Sequence, residues 1–397
     1  MATQEVRGGA GDEPPGEAVE RPSSPKEAAD LLRGLAEAKR VVRPRGGATK
    51  LAWGGKGEPV SVELETGAMN RILEHNEGDL TAVLEAGVSL GEAQATFAEK
   101  GQMLALDPPL GSDDAATVGG LVATADSGPL RHRYGGVRDL IVGITVVLSD
   151  GTVAKAGGKV IKNVAGYDLA KLFTGSFGTL GLIVGVNVRL HPLQTDTATA
   201  MASTEHPERL TTALATLGRL PLEADCLDVA WQGHRGQALV RFAGAAAEHQ
   251  AATTAGHMRD AGLDEAETVS DDAALWARQR DGQRSAAGAV LKVSGRTSDL
   301  GAAIGAARDA DGALVGRAAQ GLYWIAFEGA ELTERVAHVR SALEPRACVL
   351  LDAPDELRTA IDPWGPVDPG ALALMGRVKE RFDPAGILRP GAFVGGI

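Results

Sequence analysis

The sequence predicts an α+β protein whose 397 residues divide into two domains with a break near residue 194. Three observations carry this. Small residues punctuate the stretch from Ala116 to Pro192 wherever the chain must turn, and apolar strands lie between them. Beyond residue 206 the Gly-rich turns give way to alternating strand and helix patterns, as in a two-layer α+β domain with an antiparallel sheet. Finally, 44% hydrophobic residues supply material for sizeable cores, but aromatics make up only 4%, so those cores must rest on Ala, Val and Leu.

Residues 1–23 hold Gly, Glu, Ala and Pro with almost nothing to bury, and are expected to be a disordered tail. The first helix is announced by Ser24-Pro25-Lys26-Glu27, a capping box with Pro at the first helical position. Ala28, Leu31, Leu32 and Leu35 then share one face. A strand at Arg40–Arg43 leads into the turn Pro44-Arg45-Gly46-Gly47-Ala48-Thr49-Lys50. Val60, Val62 and Leu64 alternate as a strand, and Thr81–Ala86 forms another. Ser89 and Glu92 box a helix that stops at Gly101. Asp107-Pro108-Pro109 breaks regular structure. Strands are predicted at Leu140–Leu148, Val153–Ala156 and Leu182–Leu190, with Asp168 capping a helix over Leu169–Phe173.

His191-Pro192 closes this unit, and residues 194–202, polar and small, read as a linker. The second domain then offers strands at Cys226–Trp231, Ala238–Phe242, Ala289–Val293, Leu322–Phe327 and Ala347–Leu351. Its helices are Pro207–Leu217, Ala245–Ala261, Asp299–Ala310 and Leu332–Leu343. The resulting division is 1–23 as tail, 24–193 as the first domain, 194–370 as the second, and 371–397 as a C-terminal segment.

The net charge of −12 argues against nucleic acid as the main partner. No apolar run approaches the roughly 18 residues of a membrane span, and the first residues lack an apolar signal-peptide core. A cytoplasmic home is expected. Cys226 and Cys348 read as buried small residues, with no spacing for zinc or an iron–sulfur cluster. Against the acidic background, 117–192 is basic. Arg131, Arg133, Arg138, Lys155, Lys159, Lys162, Lys171 and Arg189 face Asp126, Asp139, Asp150 and Asp168, a net +4 that suits an anionic ligand.

Two Gly-rich turns, Arg45–Lys50 and Thr117–Gly120, each follow a strand or extended segment. Neither fits the P-loop or the Rossmann fingerprint. Facing one another, they could hold a pyrophosphate from both sides with backbone N–H groups. Their flanks complete a pattern: Asp107-Pro108-Pro109, Ala116-Thr117-Val118-Gly119-Gly120, Ser127-Gly128-Pro129, Lys162-Asn163-Val164-Ala165-Gly166-Tyr167-Asp168, Gly175-Ser176-Phe177-Gly178-Thr179-Leu180-Gly181 and the Phe382–Gly391 tail. This order resembles the vanillyl-alcohol oxidase, or PCMH-type, FAD-binding superfamily, and more narrowly the FAD-binding E subunits of bacterial glycolate oxidases.

The resemblance implies a PCMH-type FAD-binding domain of two subdomains, then an α+β cap domain with an antiparallel sheet, then a C-terminal segment returning to the FAD domain. It implies that Arg45, Gly46, Gly47, Ala48, Thr49 and Lys50 wrap the FAD pyrophosphate, and that Thr117, Gly119 and Gly120 close on it. Thr124, Ser127 and Gly128 would lie along the flavin or ribityl chain, Pro108 would shape the wall, and Ile183 would meet the adenine end. Several relatives bind the flavin covalently through a His after the two glycines. Ala48 stands there in this chain, so the FAD is expected to be noncovalent.

The Glu-His-Gly motif and the paired cap histidines of self-sufficient 2-hydroxyacid dehydrogenases are absent. No catalytic residue is therefore assigned and no metal expected. His132, Tyr167, Lys292 and Arg296 are the side chains considered near the chemistry, the last two as partners of a carboxylate. The resemblance implies glycolate oxidation within a complex, with a homologous catalytic flavoprotein subunit and an iron–sulfur subunit as partners. Such a complex leaves open a peripheral place at the inner face of the plasma membrane. A self-sufficient FAD-dependent dehydrogenase and a flavin-binding scaffold are the alternatives.

Overall fold

The structure, a computed structural model, describes residues 18–111, 114–159 and 168–397. Among the described residues the first domain holds ten strands: β1 (Ala18–Glu20), β2 (Val42–Arg45), β3 (Val62–Glu65), β4 (Ile72–Asn76), β5 (Thr81–Glu85), β6 (Gln102–Met103), β7 (Ile141–Val147), β8 (Val153–Gly157), β9 (Leu182–Arg189) and β10 (His191–Pro192). They build two subdomains. One is a parallel sheet in the order β1-β3-β2. The helix Pro25–Glu37 packs on its core through Ala28, Ala29 and Leu32. Ser24 caps that helix as the sequence predicts, accepting from Glu27 N at 3.2 Å. The other subdomain is an antiparallel sheet in the order β4-β5-β9-β7-β8. Alternation along β9 buries Val184, Val186 and Val188. The C-terminal segment returns to this domain, where Val42 N donates to Ile387 O at 2.7 Å and Arg389 N to Val42 O at 3.0 Å.

The cap contributes β11 (Thr197–Thr204), β12 (Cys226–Gln232), β13 (Arg235–Ala243), β14 (Asp264–Val269), β15 (Ala289–Ser294), β16 (Ala313–Arg317), β17 (Leu322–Phe327) and β18 (Ala347–Leu350). They form one antiparallel sheet in the order β14-β11-β13-β12-β16-β17-β15-β18. Helices Pro207–Leu217, Ala247–Asp260, Leu300–Asp309 and Leu332–Ala342 bury one face. The other face turns toward the first domain. Val290, Val315, Trp324 and Leu351 of the cap share an apolar cluster there with Trp53 and Phe177. Among the described residues no helix is long and apolar enough to cross a membrane.

Three sequence expectations change. Residues 18–20, assigned to the tail, pair in parallel with Val62–Leu64. Backbone pairing at a sheet edge needs no apolar side chain, which is why composition missed it. The supposed linker holds most of β11, whose Ala198, Ala200 and Ala202 alternate into the core at 0, 0 and 1% exposure. Alanine leaves room for the helix Ala247–Asp260 to lie directly on the strand, and small residues disguised the period. Finally, Thr117–Gly120 is the start of a helix, Val118–Thr124, rather than a turn.

Candidate functional site

β2 delivers Arg45 to the domain interior, where its guanidinium pairs with Glu63 at 2.6 Å. The chain then leaves the sheet. Among the described residues, no hydrogen bond is donated by the backbone amides of Gly46, Gly47, Ala48 or Thr49. Ala48 lies in the left-handed region at φ 60°. A single left-handed residue flanked by others points successive N–H groups toward one side, the geometry of an anion nest. The two glycines serve the loop's position. A Cβ on Gly46 would lie 2.2 Å from Thr117 Oγ1, and one on Gly47 would lie 1.6 Å from the Ala115 carbonyl oxygen. Only glycine lets the two loops approach so closely.

The opposite wall behaves differently. Val118 N donates to Val88 O and Gly119 N to Ala86 O, both at 2.8 Å. Gly120 N donates to Thr117 Oγ1 at 3.2 Å, and Thr124 Oγ1 to Gly120 O at 2.9 Å. The amides of residues 118–120 are thus occupied within the protein. Gly119 is glycine because a Cβ would stand 2.7 Å from that of Ala86. This wall sets the shape of the cleft, and the partnerless donors belong to the first loop.

Between the walls lies a half-open cleft of about 720 Å³, open solvent included. Arg45, Gly46, Gly47, Ala48, Thr49, Lys50, Thr117, Gly119, Gly120, Thr124 and Ile183 line it, and so do Thr66, Phe177, Gly178, Leu182 and Arg389. Lys50 is buried and sits 3.3 Å from Asp126, and its Nζ also donates to Pro109 O at 3.2 Å. Burial holds its pKa below the usual lysine value, with Asp126 opposing. Arg389 was not singled out from the sequence. Its guanidinium donates to Phe177 O at 3.0 Å and Trp53 O at 3.5 Å, with no carboxylate paired to it among the described residues. Burial, joined by the nearby charge of Arg43, lowers its pKa to about 10. The tail motif that contains Arg389 was the available signal.

Pro108, Ser127 and Gly128 lie outside the cleft lining. Pro108 lines a separate crevice with Arg280 and Arg284 of the cap. A Cβ on Gly128 would meet the Asp107 carbonyl at 1.9 Å, so this glycine serves backbone packing. Ser127 is buried and its Oγ has no partner among the described residues. Most of the Lys162–Asp168 string, Tyr167 included, lies outside the described residues. Asp168 caps the helix Leu169–Phe173.

Ser127 opens onto a polar seam between the domains. Across the cap strands, Asp228, Arg317, Trp324 and Lys292 stand on the face turned toward the first domain. Arg317 Nη1 donates to Asp228 Oδ2 at 2.7 Å with both side chains fully buried. Burial still pushes Asp228 up, to about 7, against the pull of Arg317. Lys292 lies 5.8 Å from the Trp324 ring and makes no hydrogen bond or ion pair among the described residues. Burial holds its pKa below the ordinary lysine value, with Asp126, Arg131 and Arg317 in electrostatic reach. Asp228 Oδ1, Arg317 Nε and Gln320 Oε1 are buried without hydrogen-bond partners among the described residues. Arg296, by contrast, is exposed. The cap histidines His206, His234, His249, His257 and His338 are exposed as well, so none faces the seam. His132 is half-buried, its pKa lowered by burial and by Arg133.

Comparison with known proteins agrees with this geometry. Residues 15–157 match the family described as FAD binding domain. The chain is 36% identical over 191 residues to the glycolate oxidase subunit GlcD of Bacillus subtilis, covering 48% of this chain and 40% of that one. It is 35% identical over 137 residues to the glycolate oxidase subunit GlcE of Escherichia coli, covering 34% and 39%. The chain thus spans less than half the length of these relatives. In fold, it superimposes on alkyldihydroxyacetonephosphate synthase with a TM-score of 0.68 at 17% identity, over 94% of this chain and 76% of the other. The chain is built as a PCMH-type FAD-binding domain with an antiparallel cap, and its cofactor is FAD. The cleft fits that group: among the described residues, the amides of 46–49 donate no hydrogen bond and Arg389 has no carboxylate beside it, which suits a pyrophosphate.

Proposed function

We propose that this chain is the FAD-binding subunit of a glycolate-oxidising assembly that converts glycolate to glyoxylate. Its partners in this reading are a homologous catalytic flavoprotein subunit and an iron–sulfur subunit, and its place is the cytoplasm. The FAD is held noncovalently, since Ala48 offers no nucleophile. The amides of residues 46–49 and the Arg389 guanidinium hold the pyrophosphate. Ile183 contacts the adenine end, and Thr124 lines the path toward the flavin. When bound, FAD supplies the two-electron acceptor for oxidation of a CH–OH group.

The observation that carries the reading is Lys292. A half-buried ammonium with no hydrogen bond or ion pair among the described residues, on the cap face turned toward the FAD domain, suits a small carboxylate. It would fix the carboxylate while Trp324 limits the size of the substituent on the neighbouring carbon. The cap histidines are all exposed, so the cap offers no evident base for the substrate hydroxyl. The partner flavoprotein therefore supplies turnover in this proposal.

The test is anaerobic mixing of the isolated, FAD-loaded chain with excess glycolate or D-lactate, followed by flavin absorbance. Unchanged absorbance, with bleaching once the partner subunits are added, is expected. Rapid bleaching of the isolated chain would overturn the division of labour and establish a self-sufficient 2-hydroxyacid dehydrogenase, a reading that the free Lys292 also favours.

A further inference from the structure

The loop of residues 46–50 that lines the cleft is also held by the cap. Arg284, in the connection that precedes β15, donates through Nη2 to the carbonyl of Thr49 at 3.0 Å. Its Nε donates to Asp352 Oδ2 at 2.7 Å. Asp352, just beyond β18, is 7% exposed and also accepts from Trp53 Nε1 at 2.8 Å and Ser285 N at 3.1 Å. The Arg284 guanidinium lies 5.3 Å from the Trp53 ring. Arg358 adds a bond to the carbonyl of Ala52 while it donates to Leu351 O at 2.5 Å. Two cap arginines therefore grip carbonyls of the segment 49–52. Among the described residues, the amides of Lys50, Leu51 and Ala52 also donate no hydrogen bond, so the pinned carbonyls lie within the run of amides without partners.

We propose that Arg284, oriented by Asp352, is a positioning residue for FAD: it fixes the peptide that follows Thr49, and so couples seating of the cap to occupancy of the cofactor cleft. The physical reason is local. A carbonyl pinned from one side fixes the plane of its peptide, and with it the direction of the Lys50 N–H, which lies in the same plane at the end of the loop. An unpinned loop would have to order itself on binding, which lowers affinity. Asp352 makes the pin rigid, because a bidentate-capable guanidinium held at Nε keeps Nη2 in a fixed direction. Coupling of this kind is reciprocal, so FAD must strengthen cap seating by the factor by which the cap strengthens FAD binding. None of these cap side chains lines the cleft itself.

The inference rests on the reading that the loop 46–49 holds FAD. The experiment titrates FAD into flavin-stripped full-length chain by fluorescence, and measures Tm with and without saturating FAD. Arg284→Gln and Asp352→Asn are expected to raise the Kd about tenfold each. They should reduce the FAD-induced rise in Tm while leaving the flavin-free Tm close to that of the parent. Arg284→Lys keeps the charge but cannot reach Thr49 and Asp352 together, so it should also weaken FAD. Lys56→Met is the control. It removes another contact between the domains, Lys56 Nζ to Thr359 Oγ1 at 2.6 Å, and should leave the Kd unchanged. Unaltered affinity in Arg284→Gln and Arg284→Lys would overturn the proposal, as would an equal loss in Lys56→Met, which would mean that any docking contact suffices. A parent chain that binds no FAD would remove the reading beneath it.

Discussion

Substitution of Gly47 by alanine isolates the demand that the fold makes on the cofactor loop. The added Cβ would sit 1.6 Å from the Ala115 carbonyl oxygen and 2.5 Å from its carbon. Ordinary contact begins near 3.4 Å, so the two loops would have to part by about 1.8 Å, and the obstacle is backbone that cannot rotate away. Gly120→Ala differs in kind. Its nearest neighbour would be Thr117 Oγ1 at 3.1 Å, a small displacement of one side chain. Overpacking of the first sort costs roughly 1–3 kcal/mol or more. If that strain falls on the FAD-competent loop, affinity drops roughly 10- to 100-fold, whereas Gly120→Ala should stay within about threefold. The assay is the FAD to protein ratio after reconstitution, with Kd from flavin fluorescence and folding checked by circular dichroism. Equal flavin occupancy in both variants would refute the argument that glycine sets the spacing of these loops.

Three further outcomes are expected. Precipitation of the holo chain with acid should release all of its flavin into the supernatant, and flavin retained on the pellet would disprove noncovalent binding. Binding of oxalate to the FAD-loaded chain, followed by the flavin spectrum, should weaken in Lys292→Met. In the parent chain it should weaken as pH rises through the lowered pKa of Lys292, below 10.5, because the neutral amine no longer attracts a carboxylate; a flat pH profile would contradict this. Deletion of residues 1–23 removes β1 and the exposed Arg21–Glu65 pair, so Tm should fall by several degrees while the FAD Kd stays unchanged. Loss of FAD from that chain would place the deleted segment at the site.

The sequence exposed those parts of the fold that local chemistry dictates. Ser24 and Ser89 cap their helices because a hydroxyl three residues before an acid is well placed to satisfy the helix amides. β7 was visible because it is a nearly continuous apolar run, and β9 because Val184, Val186 and Val188 alternate along it. β11 was not, because Ala carries too little hydrophobic contrast against Thr and Ser to show a period of two. β1 escaped because its only commitment is backbone pairing with the distant β3, where Ala18 stands opposite Val62, and no local pattern records that. The seam is invisible for a similar reason. Asp228, Arg317, Trp324 and Lys292 become neighbours only through the order of β12, β16, β17 and β15 in the sheet.

The two Gly-rich segments show how one pattern of residues can hide two different physical roles. Read as a pattern, Gly46-Gly47 and Gly119-Gly120 are equivalent offers of backbone to a ligand. In the fold, Gly119 is consumed by contact with Ala86, and its amide by the Ala86 carbonyl. Gly46 and Gly47 give up their Cβ positions to Thr117 and Ala115, and their amides remain free, among the described residues, to face the cleft. The asymmetry arises because residues 118–120 open a helix whose cap and strand neighbours satisfy them, while residues 46–49 leave a sheet without such neighbours. An anion at this site is therefore bound chiefly from one side, and the second segment acts as the anvil against which the first is held. Arg284 presses on the same loop from the cap, so the loop's geometry is the product of three elements, of which only one is legible in its own residues.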